Sequence, residues 1–214
     1  VTPTEIYQYD VRLNSSKIYK KSQSSFASDN YEMRQEFYLS KDSTMIPIFI
    51  AYKKGISFDM ERPTLLYGYG GFNIPIKPYF NKSNIILLES GGVYASANIR
   101  GGSEYGQEWH EGGMLLNKQN VFDDFIYAAK YLFKEGISSP EFLAIKGGSN
   151  GGLLIGAVVN QRPDLFRVAF PEVGVMDMLR YEKFTIGHAW AVEYGTVDNR
   201  TFFENLIKNL NSDI

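Results

Sequence analysis

The sequence predicts a doubly wound α/β domain on a mostly parallel sheet, and three observations predict it. From Pro63 onward, short apolar runs alternate with helix-length amphipathic ones. The run Phe142–Lys146 passes through the glycine-rich turn Gly147–Gly152 directly into the apolar stretch Leu153–Asn160. A further apolar run, Arg167–Phe170, follows the breaker Pro163. Parallel strands need a long crossover, which a helix supplies, so strands alternating with helices point to parallel pairing. With 214 residues the chain can bury one large core.

The elements follow in chain order. Up to about Asn30 the chain is polar and serine-rich, and it alternates only briefly at Ile6, Tyr7 and Val11, which predicts one edge strand and a linker. Glu36–Leu39 and Ile46–Tyr52 form a hairpin signal around the polar turn Lys41–Thr44. Thr64–Tyr67 is a short buried strand ending in Gly68-Tyr69-Gly70-Gly71. Ile85–Leu88 and Val93–Ile99 are expected to be strands, and Arg100-Gly101-Gly102-Ser103 opens a loop. Phe122, Phe125, Ile126, Ala129 and Leu132 recur at helical spacing, giving a helix from Val121 to Glu135 with Asn120 as N-cap and Gly136 as stop.

Composition narrows the function. A net charge of -2 with no basic stripe argues against nucleic acid. The longest apolar runs, such as Leu153–Val159, are far shorter than a membrane span. The absence of cysteine removes disulfides, thiolate chemistry and Cys-ligated metal. No metal or cofactor is expected. No charged-then-apolar leader follows Val1, so a cytoplasmic protein is expected, or a periplasmic one whose signal has been removed.

Gly147-Gly148-Ser149-Asn150-Gly151 fits G-x-S-x-G between a strand and a helix. That spacing suits a nucleophile. The serine sits on a strained strand-to-helix turn, the glycines let two backbones pass, and the helix N-terminus faces developing negative charge. The Asn150 amide N–H is then a candidate oxyanion donor. There is no Gly-Lys-Ser/Thr ending and no G-x-G-x-x-G, which disfavours a phosphate loop.

Several longer runs carry a family resemblance: Tyr67–Asn73, Ala97–Gly102, Asn117–Asn120, Gly147–Gly152, Gly174–Met178, and Tyr181–Tyr194 with its Ile186-Gly187-His188-Ala189-Trp190. Together they resemble the prolyl oligopeptidase family over roughly Tyr31 to Ile207. The resemblance implies an α/β-hydrolase domain over 31–214, capped in the whole, monomeric protein by a β-propeller whose end and return linker correspond to residues 1–30. It also implies cleavage of short peptides after proline. Ser149 matches the nucleophile, Asn150 the backbone oxyanion donor, and Tyr69 a phenol that completes the oxyanion hole. Trp190 matches the ring that stacks on the substrate proline, while Phe72, Val175, Ile186 and Tyr194 match other pocket walls. Taken without the resemblance, Tyr69 reads rather as a core tyrosine, and Val175 and Ile186 read equally as core residues. The sibling oligopeptidase B type would show alanine after the nucleophile and acidic pocket residues; Asn150 and Trp190 favour the proline reader, and Glu193 is the feature that fits less well.

A serine hydrolase also needs a histidine base and a carboxylate, which in this fold follow the nucleophile in the order Ser, acid, His. His110 precedes Ser149. Asp177 and His188 follow it, but the resemblance places His188 beside the proline pocket, outside any triad. The chain is therefore expected to be a catalytic-domain fragment that stops before its acid and base and hydrolyses peptides poorly alone. A related oligopeptidase or esterase of other specificity stays open, as does a non-catalytic protein that binds proline-containing peptides.

Overall fold

The structure, a computed structural model, describes residues 3–22, 26–58 and 60–210. Two strands, β1 (Glu5–Asp10) and β2 (Ser15–Lys21), pair antiparallel in a separate hairpin. The expected single edge strand and linker is thus a hairpin. Its turn is organised by Asp10, whose Oδ1 accepts from the amides of Arg12 and Leu13, so a local side-chain acceptor replaces the usual glycine signal.

The main sheet has six strands in the order β3 (Tyr31–Leu39), β4 (Met45–Lys53), β6 (Val93–Ala97), β5 (Thr64–Tyr67), β7 (Leu143–Gly148), β8 (Val168–Glu172). β3, β4 and β6 are joined antiparallel; β6, β5, β7 and β8 run parallel. This is the expected mostly parallel α/β sheet with the α/β-hydrolase arrangement.

Helices cover both faces, and register shows how. Ile48 and Ile50 of β4 lie opposite Ala97 and Ala95 of β6, and these four join the principal core with Phe122 and Phe125 of α3 (Lys118–Lys134). Phe49 and Ala51, opposite Ser96 and Tyr94, point the other way, toward Ile85 and Leu88 of α1 (Lys82–Glu89). Period-two alternation therefore feeds two separate helical layers. α4 (Asn150–Gln161) packs on α3 and on β7 and β8.

Two expectations fail here. Ile85–Leu88 is not a strand; it lies in α1, which Asn81 caps by accepting from the Ser83 amide. Four consecutive apolar residues carry no period of their own, so the cap decides. The helix predicted from Val121 begins at Lys118, with Asn117 at the N-cap. Asn120 is inside it and donates Nδ2 to the Gly112 carbonyl. Gly136, at φ 67°, stops the helix as expected.

The order places β5 beside β7, with the chain leaving β5 toward β6 on one side and leaving β7 toward β8 on the other. Such a reversal opens a crevice at the carboxyl ends of the two strands. Tyr69 follows β5, and Ser149 follows β7.

Candidate active site

Ser149 occupies the single residue between β7 and α4, at φ 57° and ψ −115°. A non-glycine residue there costs about 1–3 kcal/mol and persists only where its surroundings hold it. They do so from both sides. The Ser149 amide donates to the Glu172 carbonyl on β8 at 2.9 Å, and its carbonyl accepts from Gly152 and Leu153. Gly147 and Gly152 are steric requirements: a Cβ on Gly147 would overlap the Gly151 carbonyl, and one on Gly152 would lie 2.5 Å from the Gly174 Cα. The Ser149 side chain is exposed and makes no capping bond, so its hydroxyl is available. No acidic residue sits in the first turn of α4. The positive end of the helix and its unpaired leading N–H groups, beginning with Asn150, are therefore not neutralised locally.

A buried polar network lies directly behind this turn. The Asn150 side chain, 1% exposed, donates Nδ2 to the Tyr69 carbonyl at 2.6 Å. Its Oδ1 accepts from Tyr194 Oη at 3.0 Å and Lys118 Nζ at 3.1 Å. Lys118 Nζ also donates to the Gly70 carbonyl at 2.9 Å and to Glu193 Oε1 at 3.3 Å. The other Glu193 oxygen accepts from His110 Nε2 at 2.8 Å. Burial pushes the Lys118 ammonium down to about 8, with Glu193 pulling it back up. The Tyr69 phenol, half-buried, is raised by burial and then by the charge of Glu193, so it remains a hydrogen-bond donor at neutral pH.

Phe72, Val175, Trp190 and Tyr194 gather in a second apolar cluster with Leu153, Met178 and Tyr181. Phe72 and Tyr181 each meet Tyr194 edge-on, at 5.5 Å between ring centres. Tyr194 is fully buried behind Phe72, so its hydroxyl faces Asn150, not solvent. Ile186 lies outside the cluster and is exposed. His188 is exposed in a 3-10 turn, Gly187–Trp190, while the Asp177 carboxylate is held by Arg180 Nε at 2.7 Å. Ser149, Asp177 and His188 do not form a hydrogen-bonded triad among the described residues. Nor do those residues contain a group of three or more His, Asp or Glu side chains able to hold a metal ion.

This strained serine turn belongs to a wider likeness. Residues 78–211, more than half of the chain, match the family model described as the prolyl oligopeptidase family. The chain belongs to the prolyl oligopeptidase family. It is 52% identical over 207 residues to the prolyl endopeptidase of Elizabethkingia meningoseptica, covering 96% of this chain and 29% of that protein. A solved prolyl endopeptidase superposes with a TM-score of 0.92 at 46% identity, covering 96% of this chain and 30% of the other. A post-proline cleaving enzyme from Rickettsia typhi also gives 0.92, at 43% identity, over 97% of this chain and 30% of its own. The chain thus spans under a third of the length of these prolyl oligopeptidase relatives.

Sequence reasoning marked Ser149, Asn150 and Tyr69 but missed what joins them. Lys118 reaches Gly70, Asn150 and Glu193, which lie 48, 32 and 75 positions away. No periodicity reports contacts at such separations. The expected helix began at Val121, three residues beyond Lys118, so the sequence marked this lysine only as part of the Asn117–Asn120 run.

Proposed function

We propose that the whole protein is a serine peptidase that cleaves short peptides after proline through an acyl-enzyme on Ser149. One observation carries this reading: an exposed serine on a strained turn at the head of α4, at a crevice whose other lip is Tyr69 and whose flank is the Phe72–Trp190 cluster. In this mechanism Ser149 Oγ attacks the carbonyl carbon of the proline residue and gives its proton to a histidine base. The oxyanion that forms accepts from the Asn150 amide and the Tyr69 phenol. The base then protonates the departing amine, and water releases the acyl group by the same steps in reverse. Trp190 and Phe72 offer the pyrrolidine ring an apolar aromatic wall, which suits a group with no charge and no side-chain hydrogen bond.

The base and its carboxylate are assigned to the part of the whole protein outside these 214 residues. His110 is committed to Glu193, and among the described residues no carboxylate pairs with His188, while Arg180 holds Asp177. The isolated chain is accordingly a poor hydrolase. Residues 1–30 are assigned to the end of a β-propeller and its linker, 31–214 to the peptidase domain, and the whole protein to a monomer of the cytoplasm, or of the periplasm where a signal is removed. Glu193 does not argue for a basic-residue specificity, since it is 2% exposed and neutralised by Lys118.

The test is labelling by a fluorophosphonate probe, with Ser149→Ala beside the unsubstituted protein, for both the whole protein and the short chain. The expected outcome is Ser149-dependent labelling of the whole protein, with cleavage of Pro-Xaa in preference to Arg-Xaa peptides, and little labelling of the short chain. Labelling of the whole protein that survives Ser149→Ala would sink the reading. Equally rapid labelling of the short chain would mean that its base lies within residues 1–214.

A further inference from the structure

Resting on that reading, we propose that Lys118 is a positioning residue for the oxyanion hole, held in place by Glu193 and His110. The argument begins with how completely the atoms are used. The ammonium has three donors and three acceptors around it: the Gly70 carbonyl, Asn150 Oδ1 and Glu193 Oε1. Two of these belong to the oxyanion machinery. Gly70 directly follows Tyr69, and Asn150 carries the amide donor. The third, Glu193, is in turn fixed by His110 from α2 (Gln107–Glu111).

Lys118 also decides which way Asn150 faces. Its ammonium and the Tyr194 hydroxyl both require an acceptor, so the Asn150 oxygen turns toward them and Nδ2 turns toward the Tyr69 carbonyl. A flipped amide would set NH2 against the ammonium. The fit is close: a Cβ on Gly71 would come within 2.6 Å of Asn150 Nδ2, so the loop after β5 lies directly on this amide. Lys118 thereby ties the two arms of the hole together, the Tyr69–Gly70 segment from β5 and the head of α4. It touches neither substrate nor reacting atoms.

A network of this kind loses function when its charge is lost. The titratable and charged groups facing Lys118 are Glu193 and Tyr194 from α5 (Ala191–Tyr194), with His110 from α2 and Tyr69 from the loop after β5 each coupled to it through Glu193. Burial brings the Lys118 ammonium to about 8. As pH rises through that value the charge and one of the three donors disappear together, one of the three acceptors loses its hydrogen bond, and turnover falls. Glu193 opposes this deprotonation, so removing its charge moves the loss to lower pH.

The experiment uses the whole protein and a short chromogenic peptide with proline before the scissile bond, with rates normalised to active sites titrated by the fluorophosphonate probe. For Lys118→Met, kcat is expected to fall by roughly 10–100-fold with KM changed by less than about threefold, because the donors that Lys118 positions are used only as the oxyanion forms. The affinity of a peptidyl-proline aldehyde, whose adduct carries the same oxyanion, should fall by the same factor. For Glu193→Gln, the alkaline limb of kcat should move to lower pH. A purely structural role would lower the number of titrated sites and leave these per-site quantities unchanged; that result overturns the inference. Should the unsubstituted protein fail to cleave the peptide or to label at Ser149, the functional reading falls and the inference with it.

Discussion

Helix α3 carries two buried ionic clusters, and they are built differently. Near its middle Asp124, with no exposed surface, is gripped by Arg100 through Nε at 3.0 Å and Nη2 at 2.7 Å, while Arg100 Nη1 reaches Asp42 at 2.6 Å. Ser40 Oγ also donates to this carboxylate, and the Tyr38 hydroxyl donates to the Asp124 backbone carbonyl. At the head of the same helix, Lys118 spreads single hydrogen bonds over a backbone carbonyl, an amide and a carboxylate. The arginine cluster fastens the β3–β4 turn and the loop after β6 to the helix by a planar fork that does not deprotonate. The lysine cluster joins loops around the exposed Ser149 turn and can lose its charge. A guanidinium suits a fixed joint; an ammonium suits a hub whose partners must each point in a set direction.

The comparison is broken most forcefully at Asp124. Asp124→Ala leaves Arg100 largely buried without its main partner and should cost about 3–5 kcal/mol, measured by denaturant unfolding. Lys118→Met should cost less, about 1–3 kcal/mol in the same assay, because Glu193 keeps His110 as a partner. If Lys118→Met proved the more destabilising of the two, the division into joint and hub would be wrong. The smallest effect belongs to Asp42. Burial would raise its carboxyl, but hydrogen bonds from Arg100 and Thr44 outweigh it and hold the value at about 2. A lowered carboxyl stabilises the fold above its ordinary value near 3.8 and loses that contribution as pH falls toward 2. Asp42 is 45% exposed and solvent screens it, so Asp42→Asn should cost no more than about 1 kcal/mol at pH 7. The difference from the unsubstituted chain should shrink between pH 4 and pH 2.5.

The two clusters also mark how far the sequence could be read. Local pattern was enough for the β3–β4 hairpin, for β5, and for the strand–Ser149–helix unit, because each carries its own period and punctuation. It failed at Ile85–Leu88, where a four-residue apolar run suits either state, and at residues 5–21, where an Asp10 turn lacks glycine. The strand order, with β5 between β6 and β7, is set by packing of residues far apart in the chain. Ser149 was legible because its glycines lie within three positions of it. Lys118 and Glu193 were not, since what makes them matter is burial beside one another, and charged residues in a sequence look like surface until the core is assembled around them.

Asn150-Gly151 has one more consequence, in the chemical ageing of the chain. An asparagine followed by glycine is the pair that most readily closes to a succinimide and deamidates when the backbone is free to bend. Here the Gly151 nitrogen is locked into the first turn of α4, and the Asn150 amide is held by Tyr69, Tyr194 and Lys118. The hydrogen bonds that aim this side chain therefore also slow its decay. Once the site opens, conversion to aspartate would set a carboxylate oxygen against the Tyr69 carbonyl, so the damage would fall on the junction of the Tyr69 loop with the head of α4 before the rest of the fold.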